Sequence, residues 1–263
     1  MNADMFRLDG KVVAVIGAGG GIGAAVARGV AQQGGHTVCY DVNADTAEST
    51  AAAIRNAGGQ AESAPLDITD EAGVNAALDA VVTNHGHLDG LVCTPAINVR
   101  KPIMKYSGAE FDKVVAVNLR GNFNVLMAVG RIMTAQKSGS VVLFSSIRSI
   151  VTEPGQSVYS MTKAGILQLA KSAATEWATS GVRVNAVGPG VIETPLTAPI
   201  KAVPDWYNAY AAKNPMNRWA TADEMAGPTV FLLSDAASYV TGTIIYVDGG
   251  WLAADGRFTP PGM

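Results

Sequence analysis

Short runs of β-branched residues recur along this chain, each followed by a stretch long enough for a helix, and this alternation restricts the fold more than any other feature. Residues 11–17 (KVVAVIG) are strand-like, 23–34 (GAAVARGVAQQG) helical, 36–41 (HTVCYD) a strand and 44–58 (ADTAESTAAAIRNAG) a helix. Further strands are expected at 90–93, 139–146, 182–190 and 242–250, with a long helical stretch at 157–179. These runs are largely apolar, as strands covered on both faces are, and helix-length connections suit right-handed parallel crossovers. The expected fold is α/β, a doubly wound parallel sheet with helices on both faces. No repeat or low-complexity linker divides the 263 residues, so 1–263 reads as a single domain. Only 195–218, rich in proline and aromatic residues, breaks the alternation and suggests an insertion beside the sheet.

Charge narrows the partners. A net charge of −3, with the two signs interspersed, offers no basic footprint for nucleic acid or an anionic membrane. No apolar run approaches the roughly 20 residues of a bilayer span. Cys39 and Cys93, the only cysteines, lie in apolar runs and fit a reducing, cytoplasmic setting better than a disulfide framework.

After the first strand comes GAGGGIG, with Gly17, Gly21 and Gly23 leading into a helix. A glycine turn lets a pyrophosphate approach the backbone, and the helix N-terminus offers unpaired N–H groups, so a Rossmann-type dinucleotide site is expected. Asp41 ends the second strand, where a carboxylate accepts from the adenosine ribose hydroxyls and repels a 2′-phosphate. That favours NAD over NADP. Asp67, read as ending the third strand, either faces the adenine or is an ordinary loop aspartate.

Tyr159 and Lys163, four residues apart in VYSMTKAG, share one face of a helix. A phenol that acts as a base near neutral pH needs its pKa lowered from about 10, and an adjacent ammonium supplies that field. Ser146, expected at the carboxyl end of a buried strand, lies where α/β ligands bind and can hold a substrate oxygen. Asn118 sits within an expected long helix, where a buried carboxamide needs partners; a local backbone irregularity carrying a relay water would explain it.

Taken in order, Gly17/Gly21/Gly23, Asn118, Ser146, Tyr159, Lys163, the run Gly188-Pro189-Gly190, Thr194 and the C-terminal VTGTIIYVDGGW resemble the short-chain dehydrogenase/reductase family over nearly the whole chain. The resemblance implies Tyr159 as general acid/base, Ser146 as the anchor of the carbonyl or alcohol and Asn118 in a proton relay. Lys163 would hold the nicotinamide ribose and lower the Tyr159 pKa. It also implies that Ile22, Ile68, Cys93 and Ala96 join the cofactor site, that Pro189, Gly190, Ile192 and Thr194 flank the nicotinamide and pyrophosphate, and that 195–218 is a mobile substrate lid. A homotetramer is implied as well. Two departures stand out: Ile16 where the family usually has threonine, and Cys-Thr-Pro-Ala at 93–96 where it usually has Asn-Asn-Ala-Gly. The proline is expected to replace hydrogen bonding with rigidity.

Substrate contacts are expected from Asn98, Arg148, Glu153, Gln156 and Trp206, beside Ser146 and Tyr159. Arg148 either pairs a substrate carboxylate or forms a surface pair with Glu153. Their mixed polarity suits a small-molecule alcohol or ketone that is a polyol, sugar or sugar acid. The rivals are a 3-oxoacyl thioester reductase and a non-catalytic dinucleotide-sensing or scaffold protein on the same fold. His85 and His87 share a polar loop with no third ligand nearby in sequence, so no metal is expected. The tail 252–263, with Arg257 and Phe258, is expected to pack on a neighbouring subunit.

Overall fold

The computed structural model describes residues 4–254. Seven parallel strands form one sheet in the order β3-β2-β1-β4-β5-β6-β7: β1 Val12–Ile16, β2 His36–Asp41, β3 Ala61–Pro65, β4 Gly90–Cys93, β5 Gly139–Phe144, β6 Val182–Pro189 and β7 Ile244–Val247. The helices are α1 Gly21–Gln32, α2 Ala44–Asn56, α3 Glu71–His85, α4 Gly108–Val115, α5 Asn122–Gln136, α6 Ser157–Trp177, α7 Ala198–Lys201, α8 Pro204–Ala211 and α9 Ala226–Leu233.

Strand side chains alternate between two buried cores. Ala14, Ile16, Tyr40, Leu91 and Cys93 face α3, α5 and α6, while Val13, Val15, Cys39 and Val92 face α1, α2 and α9. Each fully buried aliphatic side chain contributes about 1.5–3 kcal/mol, which explains the uninterrupted apolar strands. The sheet order reverses direction between β1 and β4, so the crevice at the carboxyl ends of those strands is where a ligand fits.

Three expectations change here. Asp67 lies beyond the end of β3, in a turn where its Oδ1 accepts from the Thr69 N–H at 2.8 Å. Ser146 lies beyond β5, at the start of a short 3₁₀ turn, Ile147–Ser149. The expected long helix around Asn118 is divided into α4 and α5 by a π-helical turn, Ala116–Gly121, which is the anticipated irregularity. The insertion at 195–218 folds into α7 and α8, and it is tied down by aromatic packing: Tyr207 stacks on Trp219 with centroids 5.0 Å apart, and Tyr210 meets Trp251 edge-on at 5.8 Å. Residues 255–263 of the tail lie outside the described residues.

Candidate active site

A cleft of about 490 Å³ opens at the carboxyl ends of β1, β2 and β4. Its floor is the glycine turn. Gly17 has φ +86°, and a Cβ on Gly23 would collide with the Gly17 carbonyl oxygen, so neither position accepts a side chain without distortion. A Cβ on Gly20 would meet no protein atom and would project into the cleft. The first turn of α1 has no side-chain cap, leaving its N–H groups for an anion. Asp41 stands at the rim, its Oδ2 accepting from the Gly19 N–H at 2.9 Å and its Oδ1 from the Asn43 N–H at 3.0 Å. Among the described residues the lining contains no lysine or arginine. These features fit a dinucleotide.

Ile22, Asp67, Ile68, Ala96 and Thr194 also line this cleft. Gly190 lines the neighbouring pocket instead. Four expected cofactor residues, Cys93, Lys163, Pro189 and Ile192, line neither space. Cys93 is buried in the core below the cleft, where burial pushes its thiol up to about 12. Ile192 is packed into the other core, and Pro189 is the last residue of β6. Side-chain alternation along the strand explains Cys93: Thr94, one residue later, turns toward the cleft.

Thr94 also corrects the expected role of the Cys-Thr-Pro-Ala turn. Its N–H and its hydroxyl both donate to the Ile16 carbonyl, each at 3.0 Å. The hydrogen-bonded tie between β4 and β1 is therefore kept, by a threonine hydroxyl one position further on, and proline adds to it rather than replacing it.

Ser146, Tyr159 and Lys163 converge where β5 meets α6. Ser146 Oγ accepts from the Arg148 N–H at 3.1 Å, and the Ser146 side chain stands near enough to Tyr159 to act on its phenol. Burial pushes the Tyr159 phenol up to about 12, although Ser146, Arg148 and Arg100 each act to lower it. Lys163 stands one helical turn further along α6. Its ammonium donates to the Phe144 carbonyl at 2.8 Å, 5.6 Å from the Tyr159 ring centroid, and burial lowers it to about 8. A low-dielectric setting disfavours both charged forms, which explains the opposite shifts of an acid and a base on one helix face.

Asn118 is fully buried and its carboxamide clamps the backbone of Ile97, accepting from the N–H at 2.8 Å and donating to the C=O at 2.9 Å. It also donates to Thr162 Oγ1 at 3.2 Å, and Thr162 in turn donates to the Tyr159 carbonyl at 2.8 Å. Its side chain thus braces the loop after β4 against α6. At the end of the π-helical turn, Asn122 Nδ2 donates to the Asn118 carbonyl at 2.8 Å.

A second pocket, of about 410 Å³, adjoins Ser146 and Tyr159 and is lined in part by Asn98, Arg148, Gln156 and Trp206. Glu153 stands behind the wall. It accepts from Arg100 Nη1 at 2.7 Å and from the Tyr210 hydroxyl, and pairs with Arg148 Nη2 at 2.8 Å. Burial alone would raise its carboxyl, but the bonds from Tyr210 and Arg100 and the charge of Arg148 outweigh that and hold it below its ordinary value. Arg148 is only 7% exposed and lies over the Trp251 ring, 5.5 Å from its centroid, while Arg100 lies over Trp206 at 4.9 Å. Arg100 and Tyr210 were not singled out from sequence. Arg100 falls in the stretch after β4 that faces the site, but its partner Glu153 is 53 positions away.

His85 and His87 do not face a common point: His87 Nε2 lies 3.1 Å from Asp89, and His85 Nε2 lies 2.8 Å from Glu62. Among the described residues no helix is long and apolar enough to cross a membrane.

Residues 17–252 match a family profile described as enoyl-(acyl carrier protein) reductase. The chain is 41% identical over 244 residues to cis-4-hydroxycyclohexanecarboxylate dehydrogenase of Sinomonas cyclohexanicum, covering 92% of this chain and 97% of that protein. It is 32% identical over 247 residues to gluconate 5-dehydrogenase of Gluconobacter oxydans, covering 94% and 96%. Its structure is similar to that of a gluconate 5-dehydrogenase from Burkholderia cenocepacia in complex with NADP and tartrate, with a TM-score of 0.92, 34% identity and coverage of 95% of this chain and 98% of that one.

Proposed function

The chain belongs to the short-chain dehydrogenase/reductase family, and from that premise we propose that it is an NAD-dependent dehydrogenase oxidising a secondary alcohol of a hydroxylated carboxylic acid, a sugar acid or a close cyclic analogue. The observation that carries this reading is the pair Arg100 and Arg148 sharing the single carboxylate of Glu153 beside Ser146 and Tyr159. Two guanidiniums against one carboxylate leave the group one positive charge in excess, and a half-buried guanidinium is suited to a carboxylate. The similarity to dehydrogenases of a hydroxycyclohexanecarboxylate and of gluconate supports the same class.

In this reading Ser146 holds the reacting oxygen, Tyr159 takes the hydroxyl proton, and Arg148 with Arg100 orients the acid end. Lys163, two-percent exposed, stiffens the site from below through the Phe144 carbonyl. The oxidised dinucleotide, when bound in the larger cleft, supplies the acceptor for the hydride. Asp41 and the absence of a cation among the described residues of the cleft lining support NAD, although solved relatives are described with NADP. Half-exposed Phe123 and Met127 on α5 and Met161 on α6 support a homotetramer, and two buried thiols suit the cytoplasm.

The test is NADH or NADPH formation with a panel of sugar acids, cyclic hydroxy acids, neutral polyols and 3-hydroxyacyl thioesters. Turnover with NAD on an acid, exceeding that on its neutral counterpart by at least about tenfold in kcat/KM, is expected. Equal turnover on acid and neutral compounds removes the arginine argument, and preference for thioesters with NADP selects the acyl reductase.

A further inference from the structure

We propose that His36, Glu62 and His85 form a binding site for one divalent transition-metal ion of the zinc type, at the end of the sheet opposite the catalytic residues. His36 is the first residue of β2, Glu62 lies on the edge strand β3, and His85 is the last residue of α3. Asp41 of the dinucleotide cleft ends the same strand β2, five residues and therefore roughly 17 Å further along. One ligand atom from each of the three side chains lies within 4.8 Å of the other two.

Two independent features point to a ligand there. His36 Nε2 is shielded from solvent and has no hydrogen-bond partner among the described residues, an arrangement that costs about 1–3 kcal/mol unless something else satisfies the lone pair or the N–H. The two imidazole rings are packed against each other, centroids 4.6 Å apart and tilted by 55°, while His85 Nε2 and Glu62 Oε1 stand 2.8 Å apart. Metal binding displaces the proton held between those two atoms and adds the orphaned nitrogen of His36 as the third donor.

The donor set selects the ion. Two imidazoles and one carboxylate suit a zinc-type cation, with bonds of about 2.0–2.2 Å and a fourth position for water, whereas magnesium and calcium require mainly oxygen ligands. Closing three donors onto such an ion needs small rotations of surface-facing side chains, because Glu62 and His85 keep 42% and 19% of their side-chain surface. The role is a clip: it joins the start of β2, the edge strand β3 and the C-terminus of α3, and it stands apart from the hydride-transfer chemistry.

The experiment titrates Zn(II) into the EDTA-stripped full chain by calorimetry, beside His85→Gln and Glu62→Gln, with Mg(II) as the control. These two side chains are partly exposed, so both variants retain the fold, and circular dichroism checks that. Expected are one zinc per chain, a rise in Tm on adding zinc but not magnesium, and affinity at least about tenfold weaker in each variant. Co(II) should give the visible spectrum of a tetrahedral N/O site without thiolate charge transfer. Absence of saturable zinc binding, unchanged affinity in either folded variant, or a thiolate band pointing to Cys39 or Cys93 would each overturn the proposal.

Discussion

Replacing Lys163 by methionine tests whether the ammonium is held at the site against its own desolvation. A lysine lowered from 10.5 to about 8 costs the folded state about 3 kcal/mol at pH 7, at roughly 1.4 kcal/mol per pH unit. Methionine removes that cost but leaves the Phe144 carbonyl without its donor, a loss of about 1–3 kcal/mol, so at neutral pH the two nearly cancel. The pH dependence separates them. Below the folded value both folded and unfolded lysines are protonated and the full cost is present; above it the folded lysine loses its proton first, the unfolded state binds more protons, and stability rises with pH. Between pH 7 and 9.5 the wild type should gain about 2 kcal/mol relative to Lys163→Met. Tyr159, raised to about 12, contributes stability that is fully present below its ordinary value near 10, so this window avoids its titration. Urea unfolding followed by tryptophan fluorescence, at one protomer concentration across that range, measures the difference. A gap between the two proteins that does not change with pH would refute the desolvation argument.

Tyr159→Phe should lower turnover by at least about 10²-fold while NADH still binds, measured by steady-state kinetics and NADH fluorescence titration; substantial residual turnover would mean another base. Because burial raises the phenol, alcohol oxidation by the wild type should climb through the alkaline range, and a flat kcat profile from pH 7 to 10 would contradict Tyr159 as the titrating base. Asp41→Ala should abolish a preference for NAD over NADP in kcat/KM; an unchanged ratio would assign the preference elsewhere. Thr94→Val removes the hydroxyl that donates to Ile16, so urea unfolding should show a loss of about 1 kcal/mol with raised cofactor KM, and no change in either would make the hydroxyl dispensable.

Much of this protein is written in local patterns. The apolar runs at Val12–Ile16, Gly90–Cys93 and Val182–Pro189, separated by helix-length segments, determined a parallel sheet because each strand must be covered on both faces. Glycine at 17 and 23 determined the cradle through backbone sterics, and the four-residue spacing of Tyr159 and Lys163 placed them on one helix face. Even the irregularity at Asn118 was legible, as a buried-type polar residue in a helical pattern. Strand ends were less so: Asp67 and Ser146 look like strand residues by sequence, but pairing stops before them. What sequence could not determine were encounters that depend on register and docking. The choice of Phe144 as the partner of Lys163, the tie from Thr94 to Ile16, the pairing of Arg100 with Glu153, and the meeting of His36 with Glu62 and His85 all join segments that are unrelated in spacing. Periodicity is a property of one element and propagates through neighbouring peptide units, whereas the partner of a polar tip is decided by which elements the packed core brings alongside it, and by how far burial raises the cost of leaving that tip alone.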